Sequence, residues 1–242
     1  MKDRVLSLIF ERGEVESVQP LAKRMRRVRL TGPAVQELAY VPGQHVRLHV
    51  NDLFAPLTWR RGLLRTYSVW EYDGTALDLC VLEHGGDGPG EQWVAQVRAG
   101  QGVWFTKPEG SLVLQPEAGY HLFVGDETAA VPFGAMLRAL PEGVDFDAVV
   151  EVDTPEDEIP LGDGVTWGYR YGAPAARSAS LVEAVRRLDL PDDDSRVSRV
   201  AYVAGEALTV QAVRDHLVRE RGWPRRSVRT KPFWTPGKRG MD

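Results

Sequence analysis

The chain has 242 residues and a mass of 26.9 kDa, enough for one large or two modest domains that bury roughly 70–75% of the unfolded surface without covalent staples. A hydrophobic share of 43%, a charged share of 26% and a net charge of −4 exclude dominant disorder and speak against nucleic acid as a partner. No apolar run approaches the roughly 20 residues that span a bilayer; MKDRVLSLIFERGE lacks a signal-peptide core and Cys80 has no cysteine partner, so a cytoplasmic protein without membrane insertion or internal disulfide is expected.

The first half reads as β structure. Strands are predicted over Gly13–Val18, Arg26–Thr31, His45–Val50, Thr66–Tyr72, Ala76–Glu83 and Gly102–Thr106, punctuated by turns such as Thr31-Gly32-Pro33, Asp73-Gly74 and Pro108-Glu109-Gly110. Short strands at this spacing predict a sandwich or small barrel. One helix is predicted over Gly90–Val97, with Trp93, Val94 and Val97 on one face.

The character changes after Leu114, where Gln115–Gly119 reads as a linker. Strands over Tyr120–Gly125, Phe146–Val152, Gly164–Tyr171, Val200–Gly205 and Ser227–Phe233 are then interleaved with helices over Ala130–Leu140, Ser180–Leu188 and Val210–Arg221. That alternation predicts a parallel sheet wrapped by helices. The expected domains are therefore residues 1–114 and 119–242. Ligands of open parallel sheets sit at the carboxyl ends of the strands, here Gly125-Asp126-Glu127-Thr128, Val152-Asp153-Thr154, Arg170-Tyr171-Gly172 and Gly205-Glu206-Ala207.

Two stretches carry chemistry. In RTYSV, Arg65 offers a fork of donors suited to phosphate, Tyr67 a ring that can lie against a flat aromatic cofactor, and Ser68 a hydroxyl for a ring heteroatom. Val69 completes the stretch. The alternative is a plain strand with an aromatic on its inner face. In HGGDGPG, from His84 through Gly85, Gly86, Gly88 and Pro89 to Gly90, glycines expose backbone N–H groups at the mouth of the Trp93 helix, which makes a phosphate cradle. A tight hairpin turn is the competing reading, with His84 a structural hydrogen-bonder.

Charge is unevenly distributed. From Gln211 to Asp242 there are nine Lys or Arg against three acids; from Pro141 to Ser195 there are four against fourteen. The basic segment is either a solvated face or an electropositive mouth for an anionic ligand.

These stretches, with MRRVRLTG (Met25–Gly32), GDETA from Gly125, VTWGYR from Val165, VAGEA from Val203 and FWTPG from Phe233, resemble the siderophore-interacting proteins, flavin-dependent ferric reductases within the ferredoxin–NADP reductase superfamily. The resemblance runs over nearly the whole chain. It implies an N-terminal antiparallel Greek-key β-barrel that binds flavin, followed by a parallel-sheet α/β domain that binds nicotinamide. By resemblance, Arg65 pairs with the FAD pyrophosphate, Tyr67 packs beside the flavin, and Ser68 lies near its N5 edge. His84, Gly85, Gly86, Gly88 and Pro89 close over the diphosphate. Gly125, Asp126, Glu127 and Thr128, with Gly205 and Glu206, mark the strand ends where NAD(P)H docks. GDETA also reads as a helix cap, through Asp126 or Thr128. Trp234 is expected near the cofactor, with a core role as the alternative.

The chain departs from the family pattern at four places. Serine stands for threonine at Ser68, Trp70 stands where arginine is usual, and Gly90-Glu91 replace an alanine followed by serine or threonine. Lys107-Pro108-Glu109-Gly110 replaces a glycine-proline-x-glycine turn. An acid such as Glu91 is unfavourable beside a diphosphate unless it points away or caps the helix, so these departures bear on how tightly FAD is held.

The implied activity passes electrons from NADH or NADPH through FAD to Fe(III) in a ferric siderophore, releasing Fe(II), with no metal site on the protein and no catalytic side chain beyond those holding the cofactor. Arg229, Lys231 and Lys238 are the expected contacts to the anionic chelate, with Arg225, Arg226 and Arg239 as further candidates. Asp153 favours NADH, whereas Arg170 or Arg177 favours NADPH. A monomer is expected. The alternatives are a general flavin reductase with an organic acceptor and a non-catalytic siderophore-binding module.

Overall fold

The computed structural model describes residues 10–50, 64–86, 88–191 and 198–238. The chain divides into two compact units, Met1–Ser111 and Leu112–Asp242.

In the first unit, β1 (Glu11–Ala22), β2 (Met25–Thr31), β3 (His45–His49), β4 (Leu64–Tyr72), β5 (Ala76–Leu82) and β6 (Gly102–Phe105) close an antiparallel barrel in the order β1-β2-β5-β4-β3-β6. Closure follows from period-two patterning: Val15 on β1, Val28 and Leu30 on β2, Val46 and Leu48 on β3, and Leu77 and Leu79 on β5 are buried together, while the residues between them face outward. A short helix α1 (Pro33–Gln36) follows β2 and contributes Val35 to that core; no periodicity in four residues could have announced it. Helix α2 (Pro89–Gln96) contributes Trp93 and Val94, and Val97 follows at its C-cap.

The second unit is a five-stranded sheet in the order β11-β10-β7-β8-β9, built from β7 (Tyr120–Asp126), β8 (Asp145–Val152), β9 (Val165–Tyr169), β10 (Arg199–Glu206) and β11 (Val228–Trp234). Every pairing is parallel. β7 and β10 are buried along their whole length, as central strands covered on both faces must be. Helices α3 (Glu127–Arg138), α4 (Ala179–Arg186) and α5 (Ala207–Asp215) follow β7, β9 and β10. Leu181 and Val185 of α4, with Val210 and Val213 of α5, bury against Leu122, Val124, Ala201 and Val203 of the two central strands.

Helix starts differ from the periodicity reading because caps, not apolar spacing, set them. Helix α3 begins at Glu127 rather than Ala130, since the Asp126 carboxylate accepts from the N–H of Thr128. Helix α5 begins at Ala207 rather than Val210, since Glu206 accepts from the N–H groups of Leu208 and Thr209. The later part of the helix predicted to reach Arg221 is a π-type turn over His216–Glu220.

Candidate functional site

In the barrel unit, alternation along β4 divides the RTYSV residues between two faces. Arg65 and Tyr67 share the face toward α2: a Cβ built on Gly90 would stand 3.0 Å from the Tyr67 hydroxyl and 3.7 Å from Arg65 Cγ. The Tyr67 ring lies 5.8 Å from Trp93, tilted by 31°. Burial holds the Tyr67 phenol well above its ordinary pKa, against the opposing pull of Arg65, so its hydroxyl stays protonated. Ser68 stands cross-strand from His45, on the other face. Val69 is a core residue whose N–H donates to the Gln44 carbonyl at 3.1 Å. Trp70 is buried, beside a register shift between β4 and β5.

The glycine loop feeds α2 through Gly88, the N-cap, with Pro89 in the first turn and no side-chain cap. Pro89 has no N–H, and the first turn that follows has no side-chain cap, the usual condition for anion binding. Gly85, at φ +73, and Gly88 have open space where a Cβ would stand. Glu91 folds back against the loop: its carboxylate accepts the N–H of His84 at 2.5 Å, closing the loop onto its own helix. His84 is exposed, and Asp87 lies outside the described residues. Arg65, whose Nη1 donates to the Leu64 carbonyl at 2.9 Å, the uncapped helix end and the small residues of the loop have the donor chemistry that a diphosphate takes.

In the second unit the strand ends are tied by buried carboxylates. Asp126 Oδ1 accepts from the Thr128 N–H at 2.9 Å and the Thr128 hydroxyl at 2.5 Å. Its Oδ2 accepts from the Glu206 N–H at 2.9 Å and the Trp234 indole at 2.8 Å. Burial pushes the Asp126 carboxyl up, reinforced by Glu127 and opposed by Thr128 and Trp234. Two glycines make this closeness possible. A Cβ at Gly125 would meet Ala129 Cβ at 2.4 Å and the Ala204 carbonyl at 2.5 Å, and one at Gly205, where φ is +119, would meet Asp126 Oδ2 at 2.5 Å.

Glu206 accepts from Arg177, Leu208 and Thr209. Burial alone would raise its pKa, but these backbone N–H groups outweigh it and hold the group below the ordinary value. The acids read as cofactor contacts thus have structural partners, and the cap reading of GDETA holds for Asp126.

Arg170 requires a correction. It is not available to a 2′-phosphate: its side chain is 5% exposed, 2.6 Å from Glu127 and 3.6 Å from Glu151. Burial lowers the Arg170 pKa, yet the hydrogen bond and charge of Glu127 more than restore it. Glu151 also accepts from the hydroxyls of Ser178 and Ser180 at 2.7 and 2.6 Å. This hub was not legible in the sequence, because its members lie 19 and 43 residues from Arg170.

Arg229 and Lys231 stand two residues apart on the edge strand β11, and Lys238 lies exposed beyond its end. Arg229 reaches Gln115 at 3.5 Å. Arg225 donates to the Val228 carbonyl, and Arg239 lies outside the described residues. Among the described residues there is no cluster of three or more His, Cys, Asp or Glu able to hold a metal ion, and no helix long and apolar enough to cross a membrane.

Comparison with known proteins matches residues 118–237 to the siderophore-interacting protein profile and residues 54–112 to the siderophore-interacting FAD-binding domain. An uncharacterized protein of Mycobacterium tuberculosis is 34% identical over 186 residues, covering 71% of this chain and 64% of that one. The ferric vibriobactin reductase of Vibrio cholerae is 27% identical over 259 residues, 93% of each. Among solved structures, a siderophore utilization protein from T. fusca superposes with a TM-score of 0.80 at 26% identity, covering 96% of this chain and 95% of that one. Phthalate dioxygenase reductase shares the two-domain fold at 20% identity and a TM-score of 0.70, covering 95% of this chain and 70% of that one. The chain belongs to the siderophore-interacting protein family.

Proposed function

We propose that this protein is an NAD(P)H-dependent, FAD-containing reductase that delivers electrons to Fe(III) in a ferric siderophore. The observation that carries the reading is the uncapped N-terminus of α2 beside Arg65, donors suited to a diphosphate, inside the segment matched to the FAD-binding domain. The name of the Vibrio cholerae relative, a ferric vibriobactin reductase, supports the acceptor.

When bound, FAD supplies a carrier that takes two electrons from a nicotinamide and passes them on singly, as Fe(III) requires. Arg65 and the first-turn N–H groups of α2 hold the diphosphate. Tyr67, kept protonated by burial, presents a neutral ring and a hydroxyl donor beside it. Ser68, on the other face of β4, would offer a hydroxyl to a flavin ring heteroatom. The strand ends at Gly125–Thr128 and Gly205–Glu206 receive the nicotinamide coenzyme, with the Asp126 and Glu206 bonds fixing the backbone against which it lies.

Arg229, Lys231 and Lys238 attract the anionic chelate. Hard oxygen donors hold Fe(III) far better than Fe(II), so reduction releases the metal. The test is to supply NADH or NADPH, FAD and a ferric siderophore and to trap Fe(II) with a chromogenic chelator. Enzyme-dependent colour supports the reading; NAD(P)H consumption only with organic acceptors refutes the ferric assignment.

A further inference from the structure

His45 alternates out of the barrel core on β3. Its neighbours Val46 and Leu48 are core residues, and Arg47, on the same outward face, keeps a side chain that is 49% exposed. The His45 side chain is only 10% exposed. It is the middle member of a row of three. Its N–H donates to the Glu109 carbonyl at 3.0 Å and its carbonyl accepts the Glu109 N–H at 2.9 Å, a hydrogen-bonded antiparallel pair. On its other side His45 stands opposite Ser68 of β4. The backbone groups of His45 are committed to Glu109, and the next link to β4 runs from the Val69 N–H to the Gln44 carbonyl. Ser68 and His45 therefore form the non-hydrogen-bonded kind of pair, whose side chains come closest, with Cβ atoms roughly 5 Å apart. Directly opposed residues project from one face, so hydroxyl, imidazole and carboxylate follow one another across three segments. His45 Nε2 is 3.7 Å from Glu109 Oε1, an oxygen that Arg47 Nε reaches at 2.7 Å. The row opens to solvent at Glu109, whose side chain is 45% exposed.

We propose that this row is a proton relay serving the flavin site: the Ser68 hydroxyl takes the proton that the reaction leaves behind while passing its own to the His45 imidazole, and His45, oriented by Glu109, gives it to water. The proposal rests on the reading of Ser68 as the hydroxyl beside the flavin ring. A proton must leave because NAD(P)H gives up a hydride, two electrons with one proton, whereas each Fe(III) takes one electron alone. NAD(P)H and two Fe(III) become NAD(P)+, two Fe(II) and one H+. Imidazole suits the step, since its ordinary pKa of about 6.5 lets it take and release a proton near neutrality. Ser68 faces the ring from β4, Glu109 from the segment after β6, and Arg47 from its own strand. The carboxylate favours the protonated ring, and Arg47 tempers it by sharing the same oxygen. His45 acts through Ser68, so it positions and relays without touching the cofactor.

The test mixes reduced, FAD-loaded full-length protein with ferricyanide, a one-electron oxidant that leaves the same proton behind, and separately with a ferric siderophore. Stopped-flow reoxidation is followed between about pH 5.5 and 8, where the wild-type rate should rise as the His45 imidazole deprotonates. His45→Ala should slow reoxidation by ferricyanide about tenfold or more and flatten the profile, and added imidazole should recover about threefold or more. Glu109→Gln should move the midpoint down by about half a pH unit or more at unchanged FAD affinity. Apart from turnover, NMR of histidine-labelled protein should show the same downward shift in the His45 titration, and the His45 ring signals should move when FAD is added. A wild-type rate and profile in His45→Ala would overturn the proposal. So would slow reoxidation that imidazole does not relieve with a profile of unchanged shape, which makes His45 a packing residue. Should His45→Ala lose the fold, Glu109→Gln decides: an unmoved midpoint in both reoxidation and NMR overturns the relay. Reoxidation by ferricyanide but not by the siderophore removes the ferric-siderophore reading and leaves the relay standing; protein that takes up no FAD removes both.

Discussion

The Trp234 indole donates to Asp126 Oδ2 at 2.8 Å, reaching from the edge strand β11 to β7 across the end of β10. The same oxygen holds the Glu206 N–H, so one carboxylate fastens three strand ends. Asp126→Ala removes a helix cap and leaves buried donors without an acceptor; a loss of about 2–4 kcal/mol is expected in urea denaturation. Gly205→Ala should cost at least about 2 kcal/mol by the same measurement, since its Cβ would meet Asp126 Oδ2 at 2.5 Å with φ at +119. Wild-type stability in either variant would remove Asp126 from this fastening role.

At the proposed diphosphate site, Arg65→Ala should weaken FAD about 10- to 100-fold in flavin-fluorescence titrations, as loss of a charge-assisted bond implies. Arg65→Lys should fall between, because lysine keeps the charge and loses the fork. Glu91→Gln should tighten FAD about two- to fivefold, since it keeps an acceptor for the His84 N–H and removes a negative charge near the phosphates. Unchanged affinity in all three would place the diphosphate elsewhere.

The strands, the parallel sheet of the second unit and the cap at Asp126 were readable because period-two alternation, apolar runs and capping residues are local signals. The division of Arg65 and Tyr67 from Ser68 was latent in that alternation. Arg170 was misread for a physical reason: a strand-end arginine reads as solvent-facing until the partners that neutralise it are known, and Glu127 and Glu151 arrive by way of two other strands.

Arg170→Met should cost about 3–5 kcal/mol in denaturant unfolding, because it leaves Glu127 and Glu151 buried without their cation. The ratio of NADH to NADPH turnover should not change, since the guanidinium is not available to the coenzyme. A changed ratio at unchanged stability would restore the phosphate-binding role.

His121 is fully buried, stacked near Phe123 and Tyr202. Burial depresses its pKa below 6.5, only partly opposed by the Ala118 carbonyl. A depressed folded-state value means that the unfolded chain binds the proton first. His121 therefore costs no stability above about pH 6.5 and removes it progressively as pH falls below that value. Urea midpoints between pH 7 and 5 should decline in the wild type and decline less in His121→Phe; identical slopes would contradict the assignment.

The most direct measurement is an anaerobic spectral titration of the purified protein with FAD added. The account expects a bound yellow flavin that NADH bleaches stoichiometrically and that a ferric siderophore restores to its oxidised spectrum. A protein that stays colourless after FAD is added, or a bleached flavin that the ferric complex leaves reduced, would contradict it.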